Sequence, residues 1–273
     1  MCGRYYRRSD KQRIAETFHL GQLPEGFVLP PWDYNVAPTT HQPVIRHNGD
    51  SGQRELVLMR WGLIPFFAES LDQYKDLSTI NARSSTLLQR PTWREPFKRH
   101  RCIVPADGLY EWPLPGKAVS PTYYPTTAVE TPKGGSGNLF DVQVQPAKRT
   151  KACVPIKRVF AISMADDRPF AFAGLWDRWK DPLGNWLESF ALVTTEPNEL
   201  ISTIHDRLAL ILKPKDYDRW LTTDDREDPR LPLDLLHPLD SDEMKMVPAN
   251  PAVGNWRNNG PEMLSCVMER YRL

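Results

Sequence analysis

Apolar and polar positions in this chain mostly alternate over short stretches and seldom recur at helical spacing. Leu56, Leu58 and, less cleanly, Arg60 alternate with Val57, Met59 and Trp61, the two-residue period of a strand. With residues 42–46 before it and Asn48-Gly49 between, the segment 55–61 reads as the second arm of a hairpin with a rather long loop. Residues 101–104, 159–163, 171–176, 189–194 and 208–212 are further short strands by the same criterion. Helical spacing appears at Ile14, Ala15 and Phe18, a stripe that follows Ser9 and Gln12. Ser9 is therefore expected to cap a short helix, with Gln12 completing the capping box. Residues 197–203 and 215–221 read as short helices. Strands dominate, and no regular strand–helix–strand alternation appears. The expectation is an α+β fold: one mixed domain over 1–273, with a curved, partly barrel-like β-sheet core and short peripheral helices.

Composition sharpens this picture in two segments. Proline is frequent, at 26 of 273 residues, and favours short elements and many turns. Residues 113–158 are rich in Pro, Thr, Gly and Lys and read as a surface insertion. Residues 224–243 hold eight acidic and two basic side chains and read as a solvated acidic segment. Overall the chain is 40% hydrophobic and 25% charged, an ordinary globular balance that excludes disorder throughout. No apolar run reaches the length of a membrane span. No apolar core follows the basic residues at the start, so no secretory leader is expected. Cys2, Cys102, Cys153 and Cys266 are scattered, without the paired spacing of a zinc site or a disulfide framework. A cytoplasmic protein with free thiols, no metal and no cofactor is the simplest expectation, and a monomer is assumed.

Cys2 has a chemistry of its own. Once Met1 is removed, an α-amine and a thiol stand on adjacent carbons. The free amine has a pKa of roughly 7.7–8.0, so part of it is a neutral nucleophile at pH 7. Such an aminothiol condenses with an aldehyde to an imine, and the thiol then closes a five-membered thiazolidine. An internal cysteine lacks the free amine this requires. The plainer alternative is a small buried residue near the start of the chain.

Further motifs follow in order: Tyr34-Asn35-Val36-Ala37-Pro38, Trp61-Gly62-Leu63-Ile64-Pro65 with Phe66-Phe67, Asn81-Ala82-Arg83, and the run from Arg101 to Trp112 containing Asp107-Gly108-Leu109-Tyr110-Glu111. Phe172-Ala173-Gly174-Leu175-Trp176, His205-Asp206-Arg207 and Val253-Gly254-Asn255 complete the set. Together with Met1-Cys2-Gly3-Arg4 this ordered set resembles the SOS response-associated peptidase family, the abasic-site processing proteins. The resemblance implies loss of Met1 and a covalent thiazolidine link between Cys2 and an abasic site in single-stranded DNA, which shields the lesion. It carries Cys2 over as nucleophile and Asn81, Glu111 and His205 as its neighbours. Two departures stand out. Leu208-Ala209 follow His205-Asp206-Arg207 where the family usually has Met-Pro. Ser84-Ser85-Thr86 follow Asn81-Ala82-Arg83 without the usual acidic residue.

The residue chemistry is compatible with those roles. Opening an abasic sugar moves a proton from hydroxyl to ring oxygen, and imine formation expels water. Both steps call for acid–base groups within hydrogen-bond reach. Glu111 lies between Tyr110 and Trp112, where burial would keep it protonated. His205 titrates near neutrality, and Asn81 offers an uncharged amide for orientation. Taken alone, Glu111 could equally pair with a surface arginine, and His205 could be a satisfied core histidine. Arg4, Arg83 and Arg207 are expected at phosphates, and Phe66, Phe67 and Trp112 on exposed bases. For Trp112, core packing stands as an equal alternative. Asn35 and Pro38 are assigned to the pocket wall.

Other classes remain to be separated. An N-terminal nucleophile amidohydrolase also begins with Cys2, and Asn48-Gly49-Asp50 resembles its oxyanion element, although hairpin turn chemistry accounts for it as well. A peptidase pairing Cys2 with His205, or a non-catalytic reader of modified bases, completes the field. The net charge is only +1, which excludes a general DNA coat. Basic residues nevertheless cluster locally. Arg4, Arg7, Arg8, Lys11 and Arg13 crowd the start of the chain, and Arg83, Arg90, Arg94, Lys98, Arg99 and Arg101 surround a single acid, Glu95. Both runs flank site motifs, which suggests a local arginine groove.

Overall fold

The computed structural model describes residues 2–21, 23, 26–49, 51–76, 78–117, 158–222 and 231–265. In chain order the elements are β1 (Tyr5–Arg7), α1 (Lys11–Thr17), β2 (Asp33–Val36), β3 (His41–His47), β4 (Arg54–Trp61), β5 (Asn81–Arg83), α2 (Pro91–Arg99), β6 (Arg101–Ala106) and β7 (Gly108–Glu111). There follow β8 (Phe160–Met164), β9 (Phe170–Lys180), β10 (Trp186–Thr195), α3 (Glu199–Ser202), β11 (Leu208–Ala209), β12 (Ile211–Leu212), α4 (Tyr217–Leu221) and β13 (Met244–Pro248). Short 3₁₀ turns join several of them.

Two sheets result. In the larger one, β4 pairs with β3, β3 with β6, β6 with β9, β9 with β10, and β10 returns to β4. Five strands thus close on themselves, with β10–β4 the one parallel joint in the ring. β5, β11 and β12 extend this sheet. The smaller sheet has the order β13-β8-β7-β1-β2. The expected α+β class with a barrel-like core is what the chain adopts.

Alternation along the ring strands assigns each side chain to the barrel interior or its outside. Val44, Met59, Trp61, Cys102, Val104, Phe172, Phe190 and Leu192 point inward. Ile45, Leu56, Ile103, Ala173, Leu175, Ala191 and Val193 point outward, beneath a layer that includes Ile14, Trp93, Phe97 and Trp220 from the helices. Leu58 shares the outward face of β4 but is exposed. A closed five-stranded ring leaves little interior space. Gly174 marks the tightest point, since a Cβ there would lie 2.8 Å from Cys102 Sγ. The smaller sheet seals one end of the barrel with Tyr5, Leu109, Phe160 and Ile162. The Tyr5 ring meets Trp61 at 5.2 Å and Phe172 at 5.8 Å between centroids, both edge-on.

Several local expectations are corrected. Asp10, not Ser9, caps α1, its carboxylate accepting from Arg13 N at 2.8 Å. Ser9 is instead bound to Asp107, through its amide and its hydroxyl, both at 2.8 Å. Ile14 and Phe18 are buried as expected, while Ala15 is half-buried. Helix α2 was hidden in the sequence by its two prolines. Pro91 occupies the first turn, where the missing N–H is harmless, and Trp93, Pro96 and Phe97 face the barrel. The stretch 208–212 forms two very short strands rather than one, each pairing with a different partner.

Asp234, Asp240 and Asp242 of the acidic segment are exposed to solvent. Within its described part, 231–243, Leu235 and Leu239 are buried. Asp234 is paired with Arg219, and Asp240 and Glu243 with Lys213. Most of the 113–158 segment lies outside the described residues. No helix among the described residues is long and apolar enough to cross a membrane.

Candidate active site

Strand parity brings Glu111 to the mouth of the barrel. On β7, Leu109 and Glu111 point to one side of the smaller sheet, and Tyr110 to the other. Leu109 belongs to the core shared with the barrel, while Tyr110 and Trp112 pack on the opposite face with Tyr6, Val253 and Met263. Gly108 makes this turn feasible. Any Cβ there would sit 2.2 Å from the Tyr6 ring. Asp107 ties the same turn to the N-terminal strand, accepting from Arg8 N at 2.6 Å and from Ser9. The motif residues around Glu111 thus fix where the chain's first residues run.

Cys2 is buried at that mouth, beside the core lined by Tyr5 and Trp61. Asn81 reaches it from β5, donating from Nδ2 to the Cys2 carbonyl at 2.8 Å. Asn81 is placed by the parallel pairing of β5 with Leu192, Val193 and Thr194 of β10. Its Oδ1 is buried without a protein partner, which leaves one acceptor unused. His205 follows α3, where its amide bonds to Ile201 O at 2.8 Å. The flanking Ile204 and Leu208 anchor it in the core. Leu114 N donates to Ile204 O at 2.8 Å, which couples the end of β7 to the histidine loop. His205 Nε2 thereby stands 4.0 Å from Glu111 Oε2, with both side chains almost wholly buried.

Burial sets the electrostatics. Losing water pushes the Glu111 carboxyl from 4.5 up to about 7, against the pull of the chain's terminal ammonium. The Cys2 thiol is pushed well above the ordinary range, first by burial and then by the charge of Glu111. His205 moves down, chiefly because burial disfavours the imidazolium. Near pH 7 the arrangement therefore holds a protonated thiol, a carboxyl poised between its two forms and a largely neutral imidazole. Among the described residues no group of three or more His, Cys, Asp or Glu is arranged to hold a metal.

The other expected residues divide. Arg4 is half-buried, with its pKa lowered by burial and its Nε without a partner. Arg83 is exposed at the end of β5, and Arg207 is half-buried beside His205. Phe66 and Phe67 are 59% and 45% exposed and meet edge-to-face. Their loop is held from below. Ile64 N donates to Ser189 Oγ at 2.8 Å, Phe66 N to Asp177 Oδ2 at 2.9 Å, and Trp179 Nε1 to Ala68 O at 2.6 Å. Rigid backbone under exposed rings suits a stacking surface. Trp112 is half-buried against the outer face of the smaller sheet. Asn35 Nδ2 donates to Val253 O, Asn255 O and Asn258 O, at 3.0, 3.0 and 2.9 Å. It binds the Val253-Gly254-Asn255 motif to β2.

Two members of the basic runs are structural. Arg7 is fully buried, donating to Ser9 O, Pro30 O and Pro31 O. Arg101 is also buried and caps the last carbonyls of α2 and α4. Neither reaches a groove, and charge counting could not separate them from their exposed neighbours. Asn48 sits in the β3–β4 turn, where its amide bonds to Gln53 O at 2.8 Å. Asp206 is a site residue that residue chemistry alone does not single out, and its Oδ1 lies 3.2 Å from His205 Nδ1. Its place beside His205 in the motif was the available signal.

Comparison with known proteins places these residues in context. The model of the family described as SOS response associated peptidase (SRAP) matches residues 1–256. Abasic site processing protein YoqW of Bacillus subtilis is 34% identical over 265 residues, covering 97% of this chain and 99% of that protein. Abasic site processing protein HMCES of Mus musculus is 30% identical over 285 residues, covering 97% of this chain and 76% of that protein. In fold, the chain is similar to a crystal structure of a protein from Bacteroides thetaiotaomicron, with a TM-score of 0.72 at 22% identity, covering 98% of this chain and all of that one.

Proposed function

The chain belongs to the SOS response associated peptidase family, and on that premise we propose that it senses abasic sites in single-stranded DNA and bonds to them through Cys2. The observation that carries this reading is the meeting of Cys2, Asn81, Glu111 and His205 at one barrel mouth. Relatives named as abasic site processing proteins support the substrate.

In this reading Met1 is removed and Cys2 carries the free α-amine. The high thiol pKa keeps sulfur protonated, so nitrogen attacks first. The amine adds to the aldehyde carbon of the ring-opened sugar. Water then leaves, its oxygen protonated by Glu111, and an imine forms. The S–H next adds across the C=N bond, sulfur to carbon and proton to nitrogen, closing the thiazolidine. His205 moves the proton that opens the sugar, and Asn81 holds the Cys2 carbonyl and directs its unused Oδ1 at the amine or a sugar hydroxyl. Arg4, Arg83 and Arg207 bind the flanking phosphates. Phe66 and Phe67 stack on neighbouring bases, and Trp112 lends one edge.

The test is a denaturing gel after incubation with single-stranded DNA bearing one abasic site. A shifted band is expected from protein lacking Met1 and none from Cys2→Ala. Correctly processed protein without that band would overturn the reading. Glutamine hydrolysis or cleavage of added peptides would point to an amidohydrolase or a peptidase. Tight but wholly reversible binding would point to a reader.

A further inference from the structure

Cys2, Glu111 and His205 are all nearly excluded from water. An acid–base pair that works once per lesion must still be set to the right proton count from solvent. Among the described residues, the charged groups that face His205 include Glu111 from β7 and Asp206 and Arg207 from its own loop. Of the two carboxylates, only Asp206 is exposed, at 64% of its side chain.

The two ring nitrogens of His205 have different surroundings. Nε2 faces Glu111 inside the site. Nδ1 faces its own loop and lies 3.0 Å from Arg207 N, 3.2 Å from Arg207 O and 3.2 Å from Asp206 Oδ1. The Arg207 N–H can only donate, so in the neutral ring it holds Nδ1 as an acceptor and leaves the proton on Nε2. That tautomer cannot release its Nε2 proton unless Nδ1 is protonated first. We propose that Asp206 is the positioning residue that admits this proton, receiving Nδ1–H and linking the buried His205–Glu111 pair to solvent.

The proton balance is simple. A solvent proton arrives at Nδ1 and is held there by the Asp206 carboxylate. The resulting imidazolium gives its Nε2 proton to an oxygen in the site. The neutral ring that remains carries its proton on Nδ1, still hydrogen-bonded to Asp206 or Arg207 O. Return of that proton to solvent, with reprotonation of Nε2, restores the starting tautomer. Asp206 is never consumed and does not touch the sugar.

This inference rests on the abasic-site reading, and its test keeps the two apart. Asp206→Asn retains the shape of the side chain and removes the charge. Because the group is exposed, the coupling is modest. The cross-linking rate is expected to fall roughly twofold to threefold near pH 7.5, with the alkaline limb of the pH–rate profile moving down by about half a pH unit. Final cross-link yield and affinity for intact single strands should stay as in the unsubstituted protein, and Asp206→Glu should restore the profile. Independently of DNA, nitrogen NMR of His205 should show the proton on Nε2 in the neutral ring and a lower pKa in Asp206→Asn. Superimposable pH profiles, or a neutral ring protonated on Nδ1, would overturn the proposal while leaving the cross-linking reaction standing. Failure of the unsubstituted protein to cross-link at all would instead overturn the abasic-site reading.

Discussion

Glu111→Gln isolates what burial does to the central carboxyl. The residue is 2% exposed, and its carboxyl is displaced upward from 4.5 to about 7. The native state therefore binds more protons than the unfolded chain between those two values. Stability is fully present below pH 4.5 and is lost as pH rises through about 7. Each pH unit of displacement is worth about 1.4 kcal/mol, so ionisation should cost the fold about 3 kcal/mol at pH 8. Glutamine has nearly the same shape and never ionises. The variant is thus expected to match the unsubstituted protein at pH 4.5 and to exceed it by about 3 kcal/mol at pH 8. Urea titrations monitored by tryptophan fluorescence, repeated at half-unit pH steps, measure the difference directly. His205 works in the opposite direction, since its depressed pKa removes stability as pH falls below about 6.5. Comparing the two proteins at each pH removes most of that contribution. A pH-independent difference, or a variant that is relatively weaker at pH 8, would refute the argument from burial. The gain in stability should come with loss of cross-linking, because Gln cannot protonate the departing water.

Other perturbations separate scaffold from surface. Gly108→Ala should destabilise by about 1–3 kcal/mol through collision with Tyr6, and Tyr6→Leu should recover part of that loss in a double-mutant thermal-unfolding cycle. Arg83→Ala should flatten the salt dependence of single-strand binding by about 0.7 log unit per lost phosphate contact. Arg7→Met should leave that slope unchanged while lowering the denaturation midpoint, because its three carbonyl partners lose their donor inside the protein.

Strand positions were legible because their cues are local. The alternation in β4, the β3–β4 turn at Asn48-Gly49 and the cores of β6, β8, β9 and β10 all follow from neighbouring residues. Elements of three or four residues, such as β1, β5 and β7, carry too little period to be seen alone. They are strands because neighbouring strands, brought together by the fold, supply their hydrogen bonds. α2 escaped notice because its prolines read as breaks until Pro91 is known to lie in the first turn. Asp10 and Ser9 are both competent caps, and only Asp107, nearly a hundred residues away, diverts Ser9.

By itself the sequence determined the strand-rich class, the residue types able to do the chemistry and their order along the chain. Those depend on local spacing and on intrinsic reactivity. Tertiary structure alone decided that the strands close into a ring, that Glu111 faces the barrel while Tyr110 and Trp112 turn away, and that Arg7 and Arg101 are buried fasteners rather than DNA ligands. It also decided the protonation states at the site. Those depend on burial and on charges brought close from distant parts of the chain, and neither exists before the chain folds.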